Sequence, residues 1–447
     1  MQDVLNSIRQ VLGIDDTYRG YILTVICIFL SFIALNKNIQ WDNGPDFLPD
    51  RGQPERDTRL IGLKKYRSEK HQDSKNLLNN SGEKMNECDP SLISWAIVTG
   101  ASRGIGRAIA VELARQNSRI MSKLNQNSTR VRSNKGSQGL NTVEISSGLP
   151  RRLGLILVAR DKTKLMELAD DIEYYYGVPC TIVQLDFSDP DASATLYRTT
   201  VFYNLDVSIL INNAGVATQS DVIDTALSDI DTMISINVSC VTKLCRLYGA
   251  EMATNAATRY DKACGGMIMN ISSVAGFFPA IPGAGVYAAT KAYERHLSRA
   301  LRVELSSRGV SVTCVMPGGT VQTNFASRSG MDDAFIWKVP MLTTTPEYVA
   351  GSAVRAMLNG DGEVIPGWTN RVTCRLFHPL LPSFVTTWLG EVTFRPFDWR
   401  LFLFGLLFSR DFVTGRDQED GKGSKSSLTN VDKQQPPRFL VLKKRVE

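Results

Sequence analysis

Ser94-Trp95-Ala96-Ile97-Val98-Thr99-Gly100-Ala101-Ser102-Arg103-Gly104-Ile105-Gly106 runs without a break into Arg107-Ala108-Ile109-Ala110-Val111-Glu112-Leu113-Ala114-Arg115-Gln116. A short apolar run ends in a turn with three glycines, and the residues after it carry apolar side chains at helical spacing. Strand, glycine turn and helix together let backbone N–H groups and a helix N-terminus receive a pyrophosphate. In a chain with 34 glycines a spaced triplet is weak by itself. Its position at the opening of a strand-turn-helix unit is what gives it weight.

Outward from this turn the same alternation continues. SWAIVT, LGLILVA, CTIVQLD, VSILIN, GMIMNIS, VSVTCVM and EVIPG are strand candidates separated by helix-like segments. That order predicts an α/β fold, a doubly wound parallel sheet with helices on both faces, over residues 93–371. Residues 117–152 interrupt it with a Ser/Asn/Gln-rich stretch holding seven Lys or Arg and one Glu. This low-complexity insertion falls between the first helix and the second strand, at the sheet end opposite a ligand crevice. A surface loop is the expected state, with a basic docking segment as the alternative.

The flanks differ in character. Residues 1–19 form a leader, and residues 20–36 are uncharged and mostly apolar, with Tyr18, Tyr21 and Trp41 placed as interfacial aromatics. Seventeen helical residues span about 25 Å, slightly less than a hydrocarbon core of about 30 Å. An uncleaved transmembrane or signal-anchor helix is the favoured reading, with a cleaved signal peptide or a buried core helix as alternatives. Residues 37–92 are polar and read as a linker. Residues 372–410 form an apolar C-terminal extension, including FHPLLPSFVTTWLGE and FDWRLFLFGLLF, expected to pack over a substrate entrance, to lie in a membrane interface, or both. Residues 411–447 are a charged tail.

Among 447 residues, 43% are hydrophobic and 21% charged, which permits a sizeable buried core. A net charge of +6 spread along the chain does not mark a nucleic-acid partner. Eight cysteines without a C-x-x-C pair and three histidines argue against a structural zinc site or a disulfide framework, so no metal is expected.

The glycine spacing is G-x-x-x-G-x-G, carried by Gly100, Gly104 and Gly106 with Ser102, Arg103 and Ile105 between them, and further motifs follow in order. They are Asp186 in LDFSD, Asn212-Asn213-Ala214-Gly215, Asn237 in SINVSC, Ser273 in MNISSVAG, Tyr287-x-x-x-Lys291 in VYAATKAY, and Pro317-Gly318 in VMPGG. In this set the chain resembles the short-chain dehydrogenase/reductase family, over nearly all of residues 94–367. The resemblance implies a Rossmann-type domain in which Asp186 bonds the adenine ring and Asn213 borders the adenine-side ribose. It also implies that Pro317 and Gly318 close on the nicotinamide, and that Asn237, Ser273, Tyr287 and Lys291 form a catalytic tetrad. Thirteen residues separate Ser273 from Tyr287, about one more than is usual in the family, so Ser272 stays open as the alternative serine. The loop after Pro317 is also about one residue longer, which leaves open the roles of Thr320 and Thr323.

Four residues apart on a helix, Tyr287 and Lys291 project from one face, so the ammonium favours the ionised phenol. Lowering a tyrosine from about 10 to about 7 requires roughly 4 kcal/mol, for which the expected source is the lysine in a partly desolvated cleft aided by the positively charged nicotinamide of the oxidised cofactor. The expected chemistry is reduction of a carbonyl, with Tyr287 as proton donor and the Ser273 hydroxyl holding the carbonyl oxygen; alcohol oxidation reverses it. By the resemblance, Lys291 also holds the nicotinamide ribose, and Asn237 fixes a water that connects it to solvent. Arg103 in the turn and Arg160 after the second strand suit a 2′-phosphate, so the cofactor expected is NADP(H). NAD(H) is the less favoured alternative, served by Asp161 if the strand ended one residue later.

Residues 345–371 resemble the C-terminal part of a membrane-associated subgroup that includes hydroxysteroid dehydrogenases, 3-ketoacyl-CoA reductases and related bacterial oxidoreductases. Phe325, Phe335, Ile336, Trp337 and Met341 could form an apolar lid over a lipophilic carbonyl compound, or could pack over the cofactor. The expected partners are a lipophilic small molecule and a membrane, that of the endoplasmic reticulum, which the basic Lys443-Lys444-Arg445 weakly supports. The resemblance also implies a homodimer or homotetramer. Two other functions stay open, a catalytically idle NADP-binding membrane scaffold or redox sensor, and a sugar-nucleotide epimerase.

Overall fold

The computed structural model describes residues 93–133, 149, 152–256, 265–338, 342–381 and 383–395. The leader 1–19, the apolar run 20–36, the linker 37–92, the run 397–408 and the tail 411–447 lie outside the described residues. Among those described, no helix is long and apolar enough to cross a membrane.

All seven strand candidates form strands. Ser94–Thr99 (β1) is followed by helix α1, Gly104–Ser133, then by Leu153–Ala159 (β2) and α2, Lys162–Tyr176. Cys180–Gln184 (β3), α3 (Ala192–Phe202) and Asp206–Asn212 (β4) come next. Helix α4 (Leu227–Ile234) passes through a π-helical segment, Ser235–Cys240, into α5, Val241–Ala256. Gly266–Ile271 (β5), a 3₁₀ turn at Val274–Phe277, α6 (Gly285–Ser306) and Val310–Val315 (β6) complete the central unit. Beyond it lie Gly319–Thr320 (β7), α7 (Phe325–Ser329), Thr343–Thr344 (β8), α8 (Pro346–Leu358) and Glu363–Val364 (β9). Three further helices follow: α9 (Trp368–Val372), α10 (His378–Leu380) and α11 (Ser383–Phe394).

The main sheet has the order β3-β2-β1-β4-β5-β6-β9 and every pairing in it is parallel. Strand β2 is buried at all seven positions, which is why its sequence is a continuous apolar run and not an alternating one. Alternate residues of β1 serve the two faces: Ala96 and Val98 pack with Leu113, Leu165 and Val354, while Trp95 and Ile97 pack with Leu196, Leu244 and Tyr248. Chain order reverses between β1 and β4, and the crevice outside their carboxyl ends is where a doubly wound sheet takes its ligand.

One boundary differs from the sequence reading. The insertion does not begin as a loop at Asn117, because α1 continues through Ser133 and carries the first half of the polar stretch. Asn117 and Ile120 are buried, so apolar spacing persists one turn further than composition suggests. Leu149 returns to the core, and the Ser94 N–H donates to the Arg152 carbonyl at 3.0 Å, closing the connection beside β2.

Candidate active site

The carboxyl ends of the strands open onto a cleft of about 820 Å³, lined along its length by the glycine turn, Arg160, Asp186, Asn213, Ser273, Tyr287, Lys291 and the Pro317-Gly318 loop. The sequence motifs between Gly100 and Gly318 thus converge on one cavity, with Gly106 and Asn237 themselves outside its lining.

At its outer end Gly100 has φ +67° and Gly104 φ +55°, a backbone that side chains with a Cβ rarely adopt. The side chain of Asn213 grips this turn, its Nδ2 donating to the carbonyls of Thr99 at 3.0 Å and Gly100 at 3.3 Å. The Thr99 hydroxyl donates to Ile211 and accepts from the Asn213 and Ala214 N–H groups, so β1 and β4 are locked together at the crevice. The Asn213 side chain thus serves the turn in this geometry. The first turn of α1 holds no acidic residue, which leaves its N-terminal dipole open to an anion.

Charge around that turn is cationic but paired. Arg103 lies 3.2 Å from Asp161 and Arg160 lies 3.4 Å from Asp186. Strand β2 ends at Ala159, which puts Arg160 at the strand end and leaves Asp161 as the N-cap of α2, accepting from the Lys164 N–H. Burial raises the Asp186 pKa, but the Ser188 hydrogen bonds and Arg160 outweigh it and hold the carboxylate below its ordinary range. A third guanidinium, Arg328 on α7, joins this rim. Burial together with repulsion from Arg103 and Arg160 lowers its pKa, Asp161 opposing. Arg328 carried no signal in the sequence, since only folding brings α7 to the glycine turn.

Deeper in the cleft, Ser273 caps the 3₁₀ turn. Its Oγ accepts from the Ala275 N–H at 3.1 Å and reaches the Pro317 carbonyl only at 3.5 Å. Ser272 is engaged otherwise: its hydroxyl is buried and donates to the Lys291 carbonyl at 2.7 Å. Of the two, Ser273 is the serine whose hydroxyl bears on the Tyr287 phenol. In the loop before α6, Ile281 is buried and Gly283 has φ +78°. At Gly276 a Cβ would come within 2.9 Å of the α6 backbone, so the turn packs directly on the helix that carries Tyr287 and Lys291.

Asn237 sits in the π-helical segment, a distortion common at functional sites. Fully buried, it accepts from the Val216 N–H at 3.0 Å and donates to the Val216 carbonyl at 2.8 Å and the Thr290 hydroxyl at 3.0 Å. One lone pair of Oδ1 is left beyond these bonds. Thr320 is buried with its hydroxyl on the Gly318 carbonyl, while Thr323 donates to the Thr320 carbonyl and packs on Gly104.

Lys291 Nζ lies 5.9 Å from the Tyr287 ring centre and donates to the Ile271 carbonyl at 2.9 Å. Its remaining bonds go to both oxygens of Glu294, at 2.8 and 3.0 Å. Burial lowers the Lys291 pKa, and Glu294 more than offsets it through charge and hydrogen bonding, so the ammonium is kept. The expectation of a Tyr287 pKa near 7 is not met by the protein groups alone. Burial raises the phenol above its ordinary value, and Glu294 adds to that, against Lys291 and Ser273. Glu294 lies about one turn further along the same helix face, at a spacing visible in Lys291-Ala292-Tyr293-Glu294.

Beyond the phenol the wall is apolar. The Phe325 ring is 5.8 Å from that of Tyr287, and Ile336, Trp337, Met331 and Phe394 line the same end. Met341 lies outside the described residues. Phe394 comes from the C-terminal extension, which folds here over the cleft. Gln219 donates to the Phe394 carbonyl, Phe335 N–H to that of Arg395 at 3.0 Å, and Arg395 pairs with Asp221 at 2.7 Å. Among the described residues no group of three His, Cys, Asp or Glu side chains is placed to hold a metal ion.

Compared with known proteins, residues 149–333 match the sequence model of the family described as short chain dehydrogenase, a span that begins beyond the glycine turn. The very-long-chain 3-oxoacyl-CoA reductase of Anas platyrhynchos is 31% identical over 233 residues, 51% of this chain and 60% of that protein. The Mus musculus protein of the same name is 28% identical over 293 residues, 62% of this chain and 78% of its own. A short-chain dehydrogenase from Sphingobium yanoikuyae, solved in complex with NADPH, is 27% identical, with a TM-score of 0.48, covering 62% of this chain and 89% of that one. The chain thus spans about 60% of the length of the first curated relatives it matches.

Proposed function

We propose that this chain, whose residues 149–333 match the short chain dehydrogenase model, reduces the carbonyl of a lipophilic compound with NADPH, or oxidises the corresponding alcohol, with a long-chain 3-ketoacyl thioester as the first substrate to try. The observation that carries this reading is the meeting of Tyr287, Ser273 and Lys291 on the floor of a cleft whose far wall is Phe325, Ile336, Trp337 and Phe394. Such a wall takes an apolar chain and leaves the polar end at the phenol.

NADP(H) would supply or accept the hydride. The residues present suit it: the open N-terminus of α1, the cationic rim of Arg103, Arg160 and Arg328, and a cleft long enough to run from that rim to Tyr287. Gly100, Ser102, Gly104, Ile105 and Gly106 would hold the pyrophosphate, Arg103 and Arg160 the 2′-phosphate, and Asp186 and Asn213 the adenosine. Pro317 and Gly318 would border the nicotinamide. Tyr287 gives its proton to the carbonyl oxygen, Ser273 holds that oxygen, Lys291 steadies the phenol and the ribose, and Asn237 holds a water with its remaining lone pair.

Four of the described thiols do not support the redox-sensor alternative: burial pushes Cys240 up to about 11 and Cys245, Cys314 and Cys374 up to about 12, away from the thiolate form. Cys180 is part-exposed. A membrane location is part of the proposal and rests on the apolar run 20–36 and a lipid-like substrate. The test is the full chain in detergent with NADPH or NADH and long-chain ketones, aldehydes and 3-ketoacyl thioesters, beside Tyr287→Phe. NADPH oxidation that depends on one of these substrates and on the phenol is expected. Equal turnover by the Tyr287→Phe protein would end the reading.

A further inference from the structure

Glu294 is a buried acid for which the proposed reaction has no direct use. Its side chain is 2% exposed, lies three residues after Lys291, and holds the lysine with both oxygens. Together with the Ile271 carbonyl, those oxygens account for the three N–H groups of the ammonium. Two consequences follow from the geometry. A lysine so held cannot turn an N–H toward a new acceptor without giving up one bond to Glu294. Its positive charge, moreover, reaches Tyr287 already balanced by a negative charge next to it.

We propose that Glu294 is a positioning residue that holds Lys291 and keeps the Tyr287 phenol protonated, so that the site stands ready as a proton donor, the form needed for carbonyl reduction. The inference rests on the assignment of Tyr287 and Lys291 made above. In the forward step the carbonyl carbon would take the hydride that NADPH supplies, becoming NADP+, while the Tyr287 O–H bond breaks as its proton passes to the carbonyl oxygen; the phenolate is then reprotonated from solvent. Each turnover therefore begins from the neutral phenol, and anything that raises its proton affinity extends reduction to higher pH.

Direction and surroundings agree with this role. Glu294 raises the Tyr287 pKa through its charge, and burial raises its own, against the pull of Lys291, up to about 7. The titratable groups that face it are Lys291 and Tyr287 on its own helix, Cys314 on β6 and Cys245 on α5. Both thiols are pushed up to about 12, so neither competes for charge near neutral pH. The Glu294 backbone carbonyl is separately occupied by the Ser298 hydroxyl at 2.6 Å, which fixes the helix and leaves the carboxylate to Lys291.

Removing the negative charge lets the coupled phenol and ammonium release their first proton at lower pH, whichever group gives it up. A nearby unit charge moves a buried pKa by about 1–3 units. In Glu294→Gln the high-pH limb of carbonyl reduction, and the rising limb of alcohol oxidation, are expected to move down by about one pH unit or more, while Glu294→Asp, which keeps the charge, stays near the wild type. The same shift is expected in tyrosinate absorbance of the full chain, taken as the difference from Tyr287→Phe, a measurement that needs neither substrate nor cofactor. Should Glu294→Gln not fold, Glu294→Met is read in its place. Unmoved limbs, or an equal shift in Glu294→Asp, would each overturn the inference. Failure of the underlying assignment shows separately, as a Tyr287→Phe protein that turns over like the wild type.

Discussion

At the outer end of the cleft Arg160 and Asp186 face each other at 3.4 Å with 58% and 43% of their side chains exposed, whereas at the inner end Lys291 and Glu294 meet at 2.8 Å with 6% and 2% exposed. The charges are alike and the surroundings are not. In water-like surroundings an ion pair contributes about 0–1 kcal/mol, so Arg160 and Arg103 can trade a carboxylate for an incoming phosphate at little cost. Away from water, removing one partner costs about 3–5 kcal/mol, so Lys291 and Glu294 stay together and act as a unit on the phenol beside them. One end of the cleft can exchange partners and the other holds them, which would suit the proposed recognition at the rim and proton transfer at the floor.

The strongest test of that division lies at the floor. Tyr287→Phe removes the donated proton and is expected to lower kcat by roughly 10²- to 10⁴-fold, with NADPH binding unchanged by fluorescence titration. Loss of NADPH binding instead would mean that the phenol holds the cofactor more than the proton. Lys291→Met breaks the buried pair and is expected to cost about 3–5 kcal/mol in urea unfolding. The sign with pH follows from Glu294. Its folded pKa is already raised above the ordinary 4.5, and without the lysine that opposed burial it rises further. The stability deficit is therefore smallest below pH 4.5, where the carboxyl is neutral folded or unfolded, and grows as pH rises through and beyond 7. A deficit independent of pH would show that packing, not charge, is what Lys291 supplies.

At the rim, Arg160→Ala is expected to raise the KM for NADPH by roughly 10- to 150-fold, the value of one lost charged hydrogen bond, and to leave that for NADH unchanged. If both coenzymes weaken equally, Arg160 supports the loop and does not read the 2′-phosphate.

The contrast between the two ends also explains what could be read from the chain beforehand. Strands such as Leu153–Ala159 and the turn from Gly100 to Gly106 declare themselves because burial on both faces and positive φ angles each select a narrow set of residues at one place in the sequence. Tyr287 and Lys291 were legible for the same reason, being neighbours on one helix. The reach of α1 to Ser133 was not, because its last turns are polar and Asn117 and Ile120 are buried only by neighbours from elsewhere in the fold. Nor were Arg328 and Phe394, which enter the cleft from α7 and α11 through tertiary packing with no local pattern to mark them. Glu294 is the instructive omission: its spacing from Lys291 was plain, but a helical Glu three residues from a Lys reads as a solvated pair until burial is known.

The mildest effect is expected at Asp161, where the rim's exchange of partners can be measured directly. This carboxylate pairs with Arg103 at 3.2 Å and caps α2 through the Lys164 N–H. Asn caps a helix about as well as Asp, so Asp161→Asn releases Arg103 while leaving the helix start intact. With a third of the Asp161 side chain and 28% of that of Arg103 exposed, the released guanidinium faces a well-hydrated rim, and the gain for an anion is small. A fall of about two- to fivefold in the KM for NADPH is expected at low salt, shrinking as ionic strength rises and the Debye length contracts from about 30 Å toward 8 Å. No change for NADH is expected, because it carries no phosphate at that position. A salt-independent change, or one shared by both coenzymes, would place Arg103 on the pyrophosphate instead of the 2′-phosphate, and the selectivity of the rim would then fall to Arg160 and Arg328.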